Sequence, residues 1–431
     1  MEEVEPIKTG LRQLISGALR LSGGTALGHA IALMATPVIA KLYGPEAFGV
    51  WAGWLALAGL LATVACLRYE TAIALPEDDT EALHVAAVAV LLALGISAMG
   101  GILVLALWGL GVPGPWQRLG GHVLWVPLGA LVIAWVAVAT QWLARIHHVM
   151  GLAKAKIWSG GVTALMQLLL GWVGSAWGLI LGDIVGRGAG LWGRIREVWL
   201  EQTSRIHAIR RENLVTAMRC YRAHSAWLTP TALVDALGLH APLLLMINWY
   251  GGALGGQFSL VQRLMAVPVA LLGQSVAQLF LPLMAKALRN SASGALRLFL
   301  GVSALLALAA VGLVGMIWHF DEMWLIALLG HQWEGVGRFL LPVSILVAVQ
   351  LVVSPVSQTA IALGGQKWFS VWVAFWASAC VAGMWIGHNQ GSAERTVWGG
   401  AIASGIGYAA LWSGLLWRLC LLKRNQLIKR N

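Results

Sequence analysis

The chain has 431 residues, of which 59% are hydrophobic and only 11% charged, with a mean hydropathy of +0.76. Soluble domains carry about 25% charged residues, and one core could not hide this much apolar surface, so a water-soluble fold is excluded. A formal net charge of +11 is by itself compatible with nucleic-acid binding, but the basic residues sit in short connections between apolar stretches, which marks a membrane protein and not a nucleic-acid binder.

In chain order, apolar stretches fall at 14–41, 47–67, 82–110, 120–144, 152–173 and 175–195. They resume at 226–250, 257–285, 296–318, 336–363, 367–387 and 396–420. Each runs 21 to 29 residues, enough for a membrane helix. None alternates as a barrel strand would, and lipid admits only helices or closed barrels. The reading is an all-α integral membrane fold with about 12 transmembrane helices. The divisions at Gly174 and at Gly364–Gly365 rest on very short connections. The first stretch lacks a small-residue cleavage pattern, so it is expected to stay as the first span.

Orientation follows from lysine and arginine. With the N-terminus and every even connection on one side, the other side holds only Lys41, Arg118, Arg263, Arg338 and Arg395 of the 29 basic residues. The basic side is cytoplasmic, which puts both termini there. Residues 196–225 form the longest polar segment, where Trp199, Ile206, Ile209, Leu214 and Met218 mix with arginines. This fits an amphipathic helix on the cytoplasmic leaflet, with a solvated linker as the plainer alternative. Three parts follow: an N-terminal six-helix bundle at 1–195, a cytoplasmic basic amphipathic linker at 196–225, and a C-terminal six-helix bundle at 226–431.

The two halves resemble each other. Pro37…Tyr43-Gly44-x4-Gly49 opens the second span, and Pro242…Tyr250-Gly251-x4-Gly256 opens the eighth. Trp177-Gly178-x7-Gly186 in the sixth matches Trp398-Gly399-x7-Gly407 in the twelfth. Both halves have an even number of spans, so the duplication is parallel, about an axis along the membrane normal. Duplicated transporters bind substrate near the midplane, between the halves.

An ionisable residue among apolar neighbours is costly and is a functional candidate by default. Arg68 and Glu70 end the second span. Asp183 and Arg187 lie one turn apart in the sixth and are placed to pair as a structural couple. Asp235 lies mid-seventh with no local cation partner, and Arg263 lies early in the eighth. Arg20 and His29 lie on the first span. The planar fork of Arg263 suits phosphate. Arg20 and Arg68 could also snorkel to the interface. Prolines 37, 127, 230, 242, 268, 342 and 355 interrupt spans and suit helices that bend.

Trp51, Trp116, Trp125, Trp249, Trp318, Trp333 and Trp368 lie near span ends, as in an interfacial belt. Cys66, Cys220, Cys380 and Cys420 lie far apart and read as small hydrophobes, not as a disulfide framework or a metal site. No phosphate loop, HExxH or GxSxG occurs. The chain reads as a transporter and not an enzyme, with no cofactor, no metal and no catalytic residues.

The segment Pro37-x5-Tyr43-Gly44-Pro45-x2-Phe48-Gly49, followed by Leu67-Arg68-Tyr69-Glu70-x-Ala72-Ile73-Ala74-Leu75-Pro76, resembles the opening of the polysaccharide transporters. These are the O-antigen and teichoic-acid flippases, in one superfamily with lipid II flippases and multidrug and toxic-compound extruders. Arg263-Leu264-Met265-x2-Pro268 is similar to the eighth helix of lipid II flippases, and Gly182-Asp183-x2-Gly186-Arg187 to the sixth helix of the family. About twelve spans, where lipid II flippases usually have fourteen, favour the oligosaccharide branch.

The resemblance implies a MATE-like or flippase fold of two six-helix bundles in the cell inner membrane. It implies export of a polyprenyl-diphosphate-linked oligosaccharide to the outer leaflet by alternating access, for O-antigen, capsule or exopolysaccharide. Arg263, then Arg68, Arg20 and His29, would meet the diphosphate. Asp235 and Asp183 would be the coupling acids, for H+ or Na+. Membrane lipids, a polysaccharide polymerase and a chain-length regulator would be partners. A cation-coupled multidrug antiporter on the same fold is the alternative.

Overall fold

The computed structural model describes residues 34–146, 148–206, 210–319 and 322–428, and all regular structure among them is helical. Arg20 and His29 lie outside these residues. Over the described residues the chain divides into two compact units, one within Leu27–Ser259 with Leu328–Trp333 and the other within Leu260–Ala327 with Glu334–Asn431.

The first unit holds α1 (34–42), α2 (Pro45–Ala65), α3 (Asp79–Gly109), α4 (Val126–Arg145), α5 (Val149–Leu169), α6 (Ala176–Ile206) and α7 (Arg211–Cys220), and most of α8 (Arg222–Pro268). The second holds the end of α8, then α9 (Gln274–Asn290), α10 (Ala292–Trp318), α11 (Leu340–Val356), α12 (Gln366–His388) and α13 (Ala393–Ile428).

Among the described residues, eight helical stretches are long and apolar enough to cross a membrane. This is fewer than the twelve expected from sequence. The first stretch is described only from residue 34. α5 and α6 match two expected spans, but they carry Lys154, Lys156, Asp183, Arg187 and many glycines, and neither is among the eight. The expected seventh and eighth spans run together as α8, whose 47 residues are broken at Gly251 (φ 87°). At 1.5 Å per residue an unbroken helix of this length would far exceed a bilayer. Only glycine enters that backbone region without steric cost.

Glycine also sets the packing. On α6, Gly178, Gly182, Gly186 and Gly190 form a stripe every fourth residue. Side chains there would collide with Tyr43, Gln167, Thr163 and Ser159 in turn. In lipid no water drives helices together, so close backbone approach must hold α6 on α5. The Tyr43 hydroxyl donates to the Gln167 carbonyl at 2.7 Å and Gln167 Nε2 to the Leu179 carbonyl at 3.1 Å. The second unit repeats the device: Gly383 and Gly399 pack backbone to backbone, joining α12 to α13.

The other repeated motif meets itself. A side chain on Gly49 would strike the Gly252 carbonyl, and one on Gly256 would strike the Pro45 carbonyl. Adding 207 to 45 and 49 gives 252 and 256, so the repeat operation exchanges the two contacts. The sequence offset that relates the two motifs therefore also relates the two contacts.

Several sequence expectations change. Trp51 and Trp333 are buried, not interfacial: Trp333 donates to the Ala40 carbonyl at 2.9 Å and its ring meets Phe48 edge-on at 5.1 Å. Trp318 is exposed, as a belt residue would be. Pro127 and Pro342 fall in the first turns of α4 and α11, where no helix hydrogen bond is lost; Pro355 stays inside its helix. In the polar segment, α7 packs Leu214 and Ala217 against a core that includes Tyr69, Ala82 and Ala86. Met218 on the same helix is exposed. Ile209 lies outside the described residues.

Candidate functional site

The site forms where α2 ends. Leu67 (φ 45°) and Arg68 (φ 59°) are consecutive left-handed residues, and neither is glycine. Such a backbone costs roughly 1–2 kcal/mol per residue, so surrounding contacts must impose it. Those contacts are present. Ser225 Oγ donates to the Leu67 carbonyl at 2.6 Å, and the Tyr69 hydroxyl donates to the Met218 carbonyl at 2.7 Å. Thr71 Oγ1 donates to the Arg68 carbonyl at 2.7 Å and stands 3.0 Å from His224 Nε2. The start of α8 therefore fixes the reversal that aims Arg68.

Arg68 and Glu70 form an ion pair at 3.2 Å, with the Glu70 side chain 7% exposed and that of Arg68 32%. The pair is incomplete. Glu70 Oε2 and Arg68 Nε are both buried with no hydrogen-bond partner among the described residues. Burial pushes the Glu70 carboxyl above its usual range, and the Arg68 guanidinium pulls it back only in part. Asp235, on α8, is exposed, and Arg68 is its electrostatic partner. The sequence offered no local cation for Asp235, because the partner comes from a turn more than 160 residues earlier. A carboxylate within a span has to face protein or water. One cation therefore serves two acids.

A second arginine holds the next turn. Arg145 donates from Nε to Asp79 at 3.1 Å and from its terminal nitrogens to the carbonyls of Ile73 (3.0 Å), Pro76 (2.7 Å) and Glu77 (3.2 Å). Nearby, Tyr221 donates to Glu81 at 3.0 Å. Burial and that carboxylate push the Tyr221 phenol up to about 12. The role of Arg145 was not apparent in the sequence, where it was one cytoplasmic basic residue among many. The pairing of an arginine at the end of α4 with Leu75-Pro76 and an acid at a helix start was the available signal.

The remaining candidates lie elsewhere. Asp183 and Arg187 form a bidentate pair within α6, at 2.6 and 3.3 Å, with Asp183 buried. Arg263 is partly buried on α8 beyond the Gly251 break, in the second unit. The structure thus brings Arg68, Glu70 and Asp235 together in the first unit.

The fold is that of known transporters. The chain is similar to an inward-facing multidrug resistance MATE family transporter, with 15% identity, coverage of 93% of this chain and 96% of that one, and a TM-score of 0.67. It is similar to the lipid II flippase MurJ in an inward closed conformation (14% identity, 95% and 91%, 0.70). It is also similar to a MOP superfamily transporter from Pyrococcus furiosus (15% identity, 95% and 98%, 0.59). Comparison with curated protein sequences gives no match. The family model described as "Polysaccharide biosynthesis protein" matches residues 38–337, well over half of the chain. A multi-pass helical membrane protein with this match over more than half of its length belongs to the polysaccharide biosynthesis protein family.

Proposed function

We propose that the chain is an alternating-access transporter of the cytoplasmic membrane that moves a polyprenyl-diphosphate-linked oligosaccharide to the outer leaflet. In this reading both termini are cytoplasmic, and twelve spans form two six-helix bundles at 1–195 and 226–431, joined by 196–225. The observation that carries it is the family match over 38–337. The site chemistry is compatible. A diphosphate bears about two negative charges and cannot enter hydrocarbon uncompensated. Arg68 offers a guanidinium whose Nε has no partner among the described residues, and a guanidinium fork suits phosphate oxygens. Arg263 is the second candidate for the diphosphate, with Arg20 and His29 after it. Asp235, and more weakly Asp183, are candidates for H+ or Na+ coupling. A polysaccharide polymerase and a chain-length regulator are the partners this reading implies.

A second reading, a cation-coupled multidrug antiporter, has its own support. Glu70 and Asp235 outnumber Arg68 at the site, and a multidrug MATE transporter is among the solved folds most like this one. On structure alone the antiporter is the better supported of the two, and the family match favours the oligosaccharide.

Deletion of the gene in its native host separates them. Lipid-linked intermediates trapped in the inner leaflet, with loss of surface polysaccharide, are expected from the first reading. Unchanged polysaccharide with altered drug tolerance would overturn it.

A further inference from the structure

We propose that Glu70 is a proton-operated counter-ion of Arg68: protonation of Glu70 frees the guanidinium for an anionic substrate group, so proton and anion bind together. This rests on the reading of the substrate as a diphosphate.

The geometry supports it in three ways. Glu70 is 6% exposed, yet its Oε2 has no hydrogen-bond partner among the described residues. A buried carboxylate is expected to have its oxygens satisfied, and Oε2, which receives no donor, can take a proton without displacing one. Next, Arg68 presents Nε in the same state, so the pair holds together by one contact, at 3.2 Å. A guanidinium that could form a bidentate fork with Glu70 but does not can be shared. Finally, the strained Leu67–Arg68 backbone is fixed by Ser225, Tyr69 and Thr71, and these contacts do not depend on the state of Glu70. The turn keeps its shape while the ion pair opens.

Other titratable groups on the packed elements have defined partners. On α3, Asp79 is held by Arg145 of α4, Glu81 by Tyr221 and His84 by Asn213. His224 on α8 is bonded to Thr71. Cys66, at the end of α2, is buried and contacts the Ala134 carbonyl. Asp235 also acts on Arg68 and is exposed; it is the competing acid, and Asp235→Asn separates its contribution from that of Glu70. Burial raises the Glu70 carboxyl, in agreement with its taking up a proton.

The step balances simply. A proton from water binds the Glu70 carboxylate, the Arg68–Glu70 contact breaks, and one phosphate oxygen takes the guanidinium. On release the phosphate leaves, the proton returns to water, and the ion pair re-forms.

The test uses the full chain purified in nanodiscs, with farnesyl diphosphate as the anionic probe and tetraphenylphosphonium as the cationic one, across pH 5.5 to 8.5. For the wild type, diphosphate affinity is expected to rise as pH falls, by up to about tenfold per unit, the limit for one linked proton. Glu70→Gln is expected to bind at the low-pH affinity throughout. Proton uptake on binding, read with an indicator dye in weak buffer, needs only the wild type and is expected to approach one per ligand. Wild-type diphosphate binding that ignores pH, with no proton uptake, overturns the proposal and leaves the proposed function standing. A slope abolished by Asp235→Asn but kept in Glu70→Gln also overturns it. Diphosphate failing to bind at any pH, while the phosphonium binds and weakens as pH falls, overturns the proposed function and this inference with it.

Discussion

The Arg68 guanidinium meets Glu70 two residues away at 3.2 Å, across a turn built from two left-handed residues. Helical neighbours two apart point away from each other, so only this broken backbone lets them pair. Because the pair is mostly buried, its members are not independent. Arg68→Ala leaves a carboxylate buried alone and is expected to destabilise the protein by about 1–3 kcal/mol, discounted from a fully buried pair because Arg68 is one-third exposed. Arg68→Ala combined with Glu70→Gln should recover part of the loss. Thermal unfolding in one detergent, over the four-member cycle, measures it; additive effects would argue that the contact carries no energy.

Glu70 also sets a pH dependence. Its folded carboxyl is raised by burial, so the folded state holds the proton more tightly than the unfolded chain. The stability it contributes is present below the unfolded carboxyl range and is lost as pH rises through the folded value. Wild-type melting temperature should therefore fall relative to Glu70→Gln as pH increases from about 4.5 upward. Parallel curves for the two proteins would contradict the shift.

Arg145 ties residues 73–79 to the end of α4 through four donations. Arg145→Ala removes them together and is expected to cost about 2–3 kcal/mol. Arg145→Lys keeps the charge but loses the fork and should recover under half of that. Limited proteolysis is a second reading, because the 73–79 segment should become a cleavage site in the alanine variant. Resistance equal to wild type would sink the clamp.

Gly49 and Gly256 allow the start of α2 to touch α8. Gly49→Ala and Gly256→Ala should each cost about 1–3 kcal/mol by overpacking, and by similar amounts, since the repeat exchanges their contacts. Gly109, with nothing within 4 Å of an added methyl, is the control, and Gly109→Ala should be neutral or slightly stabilising. A cost at Gly109 matching the other two would argue against a specific close approach.

Much of the fold was legible in the sequence, because a membrane span needs only length and apolarity. The turns at Gly174 and Gly364 stand where short connections were expected. The repeated glycine motifs were read as a sign of duplication, and that their glycines are positions of close approach came only from the structure. Apolarity does not say what a span faces, however. Val336–Ala362 is 61% buried over its most apolar stretch and Ala292–Trp318 only 22%, although both read as continuous apolar runs. Trp51 and Trp333 were misplaced for the same reason: proximity to a span end does not distinguish lipid interface from protein interior. The site was half legible. Arg68, Glu70 and Asp235 stood out as charges in apolar surroundings, but their union depends on a left-handed turn at Leu67 and Arg68 that no residue preference announces. Arg145 was hidden because its partners are mostly backbone carbonyls, which leave no trace in composition.

The most direct measurement is transport by the purified chain in proteoliposomes loaded on one leaflet with a polyprenyl-diphosphate-linked oligosaccharide, read by accessibility of the sugar to an external glycosidase. The account predicts protein-dependent appearance of sugar on the opposite leaflet, reduced at least about tenfold in Arg68→Ala, a loss of about 1.4 kcal/mol in the transport barrier. Sugar that stays on its original leaflet, with uptake of an organic cation by the same vesicles, would contradict it.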